Sequence, residues 1–69
     1  MQLKHVHCRL GEILAEQQLT LVQLSELVDV SAVNLSILKN DRAKAIRFST
    51  LISICQALNC EIGDLLVLR

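Results

Sequence analysis

The chain has 69 residues, 52% of them apolar, seven basic side chains against seven acidic ones, three cysteines and no proline. That length holds one domain, and the apolar fraction at zero net charge excludes disorder. The longest apolar run, Leu65–Leu68, excludes a membrane span of ~20 residues, and without a basic-then-apolar leader the expected location is the cytoplasm.

With two glycines and a single aromatic residue, Phe48, the composition favours helices over a sheet. Val6, Leu10, Ile13 and Leu14 recur at helical spacing, so residues near 7–18 are predicted to form a first helix. Gly11 costs that helix ~1 kcal/mol relative to Ala. Thr20-Leu21-Val22-Gln23 reads as a capping box opening a second helix, which carries Leu21, Leu24, Leu27 and Val28 inward. Ser31 is the N-cap of a third helix, Ala32 to about Lys39, with Leu35 and Leu38 inward. Asn40-Asp41 is the expected left-handed stop. A polar loop follows, anchored by Ile46 and Phe48. Ser49 or Thr50 then caps a fourth helix bearing Leu51, Ile54, Cys55 and Leu58 and ending at Asn59. Ile62–Leu66 forms a last helical turn. The opening residues alternate weakly (Leu3, His5 and His7 against Lys4, Val6 and Cys8), which leaves a short strand paired with Leu66–Leu68 as a minor alternative. The expected fold is all-α, one compact five-helix domain over residues 1–69.

The chemistry-bearing residues are few. His5, His7, Cys8 and Cys60 lack the paired spacing of a metal site, so neither metal nor cofactor is expected. No Gly-rich phosphate loop or nucleophile–base pair occurs, and Glu12, Glu16 and Glu26 fall on solvent faces of helices; an enzyme is not expected. Charge is unevenly spread. Lys39, Arg42, Lys44 and Arg47 share nine residues with one acid, Asp41, so that window carries +4 − 1 = +3.

The caps Thr20 and Ser31 lie eleven residues apart, which leaves about eight residues of helix and a three-residue turn. So short a joint sets two helices at roughly 90–120°. Leu24, Val28, Val30, Leu35 and Leu38 stand where apolar groups must lock that angle, and Ser25 is small where the helices cross.

The span Leu19–Asn40 resembles the helix-turn-helix of the lambda-repressor-like and Cro-like regulators, with the motif proper at about residues 20–40. "RLGEILAEQQLT" is similar to the first helix of small single-domain Xre-type members, and "RFSTLISICQALNCEIGDLL" to their fourth and fifth. The resemblance implies a DNA-binding transcriptional regulator, with repression the expected role. Its third helix would enter the major groove, presenting Ser31, Ala32, Val33, Asn34, Ser36 and Ile37 to base edges. Thr20, Lys39, Asn40, Arg42, Lys44 and Arg47 would meet phosphates, and Arg47 could reach the minor groove. The chain departs from the family at Leu21, where Gln is usual, and at Asp29, where Gly is usual. It departs again at Lys39-Asn40-Asp41, where the family reads Glu-Asn-Gly.

One such module makes too few contacts for specificity, so a homodimer on a palindromic double-stranded operator is expected. Ile52, Ile62, Leu65, Leu66, Val67 and Leu68 are the candidate dimer interface. The alternative is a protein-interaction module, antitoxin-like or anti-regulatory, that uses the apolar face of Ala32, Val33 and Ile37.

Overall fold

The structure, a computed structural model, describes residues 4–69, so Leu3 of the alternating segment lies outside the described residues. The order is β1 (Val6–Cys8), α1 (Leu10–Gln17), α2 (Leu21–Leu27), α3 (Ala32–Lys39), α4 (Phe48–Leu58), α5 (Ile62–Leu65) and β2 (Leu66–Leu68). The five expected helices are present. The first is shorter than expected because residues 6–8 pair with the chain's other end. β1 runs antiparallel to β2 within one chain, with Val6 opposite Leu68 and Cys8 opposite Leu66.

Local chemistry sets the helix ends. Thr20 accepts from Gln23 N at 3.1 Å while Gln23 Oε1 accepts from Thr20 N at 2.8 Å, completing the box that starts α2. Ser31 Oγ accepts from Asn34 N at 3.1 Å and starts α3. Between the two caps the chain bends by 119°. Asp29 is not among the residues with positive φ, so the usual Gly is not needed there.

Three helices end on a left-handed residue that is not glycine: Gln18 (φ 58), Asp41 (φ 60) and Asn59 (φ 53). In each, the following N–H reaches back five residues to a helix carbonyl: Leu19 to Leu14, Arg42 to Ile37 and Cys60 to Cys55. These are Schellman ends, which turn the chain sharply while satisfying carbonyls the helix leaves unpaired.

Leu10, Leu24, Leu35, Ile54, Leu58 and Leu65 are fully buried and tie all five helices into one core. Cys8, Ile13, Leu14, Val28, Leu38, Leu51 and Cys55 complete it, with Val30 and Ile46 packed against its edge. Gln17 Nε2 donates to the Leu58 carbonyl at 2.6 Å and joins the ends of α1 and α4.

Three features depart from the sequence reading. Leu27 is exposed, because α2 ends there and its last residue overhangs the core. Phe48 is 82% exposed and opens α4 instead of anchoring the loop. Neither Ser49 nor Thr50 caps that helix; the N-cap position is Arg47, with no side-chain hydrogen bond.

Candidate nucleic-acid interface

With Leu35 and Leu38 turned inward, helical geometry turns the opposite face of α3 outward. Ser31, Val33, Asn34 and Ile37 are exposed, and Ala32 and Ser36 half-buried. Val33 is 70% exposed and Ile37 40%, with Val22 of α2 at 58%. Ala32, Val33 and Ile37 form the aliphatic part of this row, Ser31 and Asn34 are exposed polar groups at the end nearest the turn, and the half-buried Ser36 is a third.

The basic loop shares this surface. A groove of about 550 Å³ has Ser31, Asn34 and Ile37 on one wall and Arg42, Lys44 and Arg47 on the other, over a floor that includes Leu35 and Ile54. The turn at Asp41 sends the chain back along α3, and the Arg42 N–H bond to Ile37 fixes where the loop leaves. Ile46, half-buried, pins its middle. The structure thus brings three of the four expected cations beside the exposed face of α3.

Lys39 is placed elsewhere. Its stem crosses Gly11 of α1 so closely that a Cβ there would lie 3.0 Å from Lys39 Cε. A Cβ at Gly11 would meet the flexible end of an exposed side chain, which can shift aside. Asn40 is occupied within its own helix, donating from Nδ2 to the Ser36 carbonyl at 2.9 Å. Thr20 is exposed at the start of α2, its hydroxyl already serving the cap.

Of the expected dimer residues, Leu65 is corrected to a core residue. It is fully buried, and its carbonyl accepts from Arg9 N at 2.7 Å. Leu66 and Val67 are half-buried in the ribbon, while Leu68 is exposed. Ile52 and Ile62 are about half exposed and line one shallow groove with Cys55 and Cys60.

One cluster gave no sequence signal. Asp41, holding the backbone position the family gives to glycine, accepts from the Cys8 N–H at 2.8 Å through Oδ1 and from His7 Nδ1 at 2.7 Å through Oδ2. The other ring nitrogen of His7 faces Glu12 Oε1 at 3.4 Å, and Arg9 Nε donates to Glu12 Oε2 at 2.8 Å. The Asp41 carboxylate raises the His7 pKa above 6.5; burial opposes it, and the contact with Glu12 adds a smaller rise. The Cys8 N–H and then His7 hold Asp41 below its usual range, while Arg9 and then His7 do so for Glu12. The clamp ties β1 to the end of α3, where the basic loop begins.

Its pH dependence follows from those directions. The His7 contribution is complete below 6.5 and is lost as pH rises through the higher folded value. The carboxylate contributions are complete above their ordinary values near 4 and are lost as pH falls through the lower folded ones. Stabilisation is therefore greatest between about pH 4 and 6.5. Melting curves of the wild type and His7→Gln should differ most in that window and converge at alkaline pH. A difference independent of pH would contradict the clamp.

Among the described residues no single helix is long and apolar enough to cross a membrane. The family model of the Cro/C1-type HTH DNA-binding domain matches residues 9–69. An uncharacterized HTH-type transcriptional regulator, YozG of Bacillus subtilis (strain 168), is 53% identical over 57 residues, covering 83% of this chain and 68% of that protein. The crystal structure of the transcriptional regulator VanUg (Form II) superposes with a TM-score of 0.78 at 26% identity, over 100% of this chain and 91% of that one. The chain belongs to the Cro/C1-type helix-turn-helix DNA-binding domain family, a family of DNA-binding transcriptional regulators and not of enzymes.

Proposed function

We propose that the chain is a sequence-specific regulator that inserts α3 into the major groove and represses transcription as a homodimer. The observation that carries this reading is the common groove of Ser31, Asn34 and Ile37 with Arg42, Lys44 and Arg47. A helix seated in the major groove needs cations beside it to meet the flanking phosphates.

The aliphatic face decides what kind of reading is available. Ala32, Val33 and Ile37 donate no hydrogen bond to a base but pack against thymine methyls, and Ser31, Asn34 or Ser36 supply one or two polar contacts. Asn34 is the one side chain on this face able to make a bidentate base contact, to adenine, so DNA shape carries part of the selectivity. For the homodimer, Ile52 and Ile62 with Phe48, one turn before Ile52, offer exposed apolar surface to a second copy, and Leu68 is exposed as well. A dimer bound across a promoter excludes polymerase, which is why repression is the expected sign.

Selection from random duplexes at one stated salt concentration tests the proposal. The expected product is a thymine-rich palindrome with half-sites centred about 10–10.5 base pairs apart. Log affinity should fall against log salt with a slope of about −5 to −7, corresponding to six to eight neutralised phosphates per dimer. Absence of enrichment, or affinity indifferent to salt, would overturn it.

The exposure of Val22, Val33 and Ile37 also favours a second reading, in which this face meets a protein partner. On that reading Ile37→Asp releases a co-purifying protein and no salt concentration yields a shift with DNA.

A further inference from the structure

The Schellman end of α4 differs from that of α1 in what fills it. This turn places the fourth-last helical side chain against the residue two beyond the helix, and that pair is ordinarily apolar. At α1 the pair is Leu14 and Leu19, respectively buried in and packed against the core. At α4 the same two positions hold Cys55 and Cys60.

The geometry that pairs them is fixed by three observations. Cys60 N donates to the Cys55 carbonyl at 3.0 Å, and Asn59 N to the Gln56 carbonyl at 3.3 Å. Asn59, at φ 53 and ψ 49, reverses the chain between the two cysteines. Both also line the groove that carries Ile52 and Ile62, with Cys55 buried and Cys60 partly open to solvent. The third cysteine, Cys8, is buried in the β ribbon.

We propose that Cys55 and Cys60 are a reversible oxidation site, closing an intrachain disulfide by exchange with a low-molecular-weight disulfide. Cys60, the accessible thiol, gives up its proton to solvent and its sulfur attacks one sulfur of the small disulfide. The small S–S bond breaks, and the released thiolate takes up a proton. Cys55 then loses its proton and attacks the Cys60 sulfur, displacing the second small thiolate, which is protonated in turn. Two protein thiols are oxidised by two electrons, and one small disulfide is reduced to two thiols. No other reactant is required.

The site is a slow one at neutral pH. Burial, followed by the neighbouring Cys55, pushes the Cys60 thiol up to about 11. The reactive thiolate is therefore scarce, and the exchange rate should rise roughly tenfold per pH unit until Cys60 ionises.

The test uses the folded full chain with oxidised glutathione at about pH 9, where the thiolate is less scarce, followed by alkylation and peptide mapping. The expected product has lost ~2 Da, carries a Cys55–Cys60 link, and regains two alkylatable thiols after dithiothreitol. Cys8→Ser should leave this outcome unchanged. Cys60→Ser and Cys55→Ser should each abolish the internal link, and Cys55→Ser should instead retain glutathione on Cys60. Three results would overturn the proposal: stable glutathionylation of Cys60 in the wild type, a link to Cys8 or to a second copy, or thiols that react only when the chain is denatured. The last would leave the pair as a packing contact alone. Because no step involves DNA, failure here is separate from failure of the DNA-binding reading.

Discussion

Leu35→Ala should leave little of the protein folded at 37 °C. Leu35 is the fully buried residue of α3, packed in a core that also holds Leu10 of α1, Leu24 of α2 and Ile54 of α4. Truncating a leucine in such a setting costs about 2–5 kcal/mol, from the lost transfer of the side chain and from the cavity it leaves. A 69-residue domain has about 3–10 kcal/mol of total stability, so one such change removes a large share or all of it. Urea unfolding followed by circular dichroism measures the effect. The control lies two residues away on the opposite face. Val33, at 70% exposure, should tolerate Ala within about 0.5 kcal/mol. Together the variants read the rotational setting of α3. Similar losses at both positions would mean that the helix does not turn Val33 outward, and the proposed DNA-facing row would go with it.

That rotational setting was legible in the sequence because its determinants are local. A hydroxyl cap, a side chain three residues later and a stripe of leucines act within a turn or two of helix, so Thr20 and Ser31 could be assigned without knowing the rest of the fold. The same holds for the stop at Asp41 and the buried place of Cys55. Features that depend on distant partners were hidden. The pairing of Val6 with Leu68 joins opposite ends of the chain through strands of three residues, whose weak alternation supports the ribbon only as a minor alternative. That ribbon also helps to cover Leu65, which the hydropathy of the tail presents as one of several equivalent surface residues. The contact of Lys39 with Gly11 and the clamp of His7 on Asp41 likewise depend on α1 and β1 lying beside the end of α3. The family comparison marks Asp41 as a departure from glycine. Only the fold shows what the carboxylate does there.

Lys44→Ala combined with Arg47→Ala should remove most of the affinity for DNA while leaving the fold intact. Both side chains are exposed beside α3 and make no hydrogen bond or ion pair with another described residue. Arg47 stands at the N-cap of α4, yet its side chain does not cap the helix, so its truncation withdraws no structural bond. If each cation neutralises one phosphate, a dimer loses four contacts, and the slope of log affinity against log salt falls by about 3–4. At 0.15 M salt the same four contacts correspond to roughly 10³ in affinity. Because phosphate contacts carry no base information, the preference among sequences should survive this loss. Ile37→Asp should act differently, placing a carboxylate in the groove and weakening sequence preference as well as affinity. The pair of variants therefore separates the two walls of the groove: one wall sets how strongly DNA is held, and the other sets which DNA is held. Unchanged affinity in the Lys44/Arg47 variant would show that the loop cations do not meet phosphates, leaving the aliphatic face of α3 to serve a protein partner.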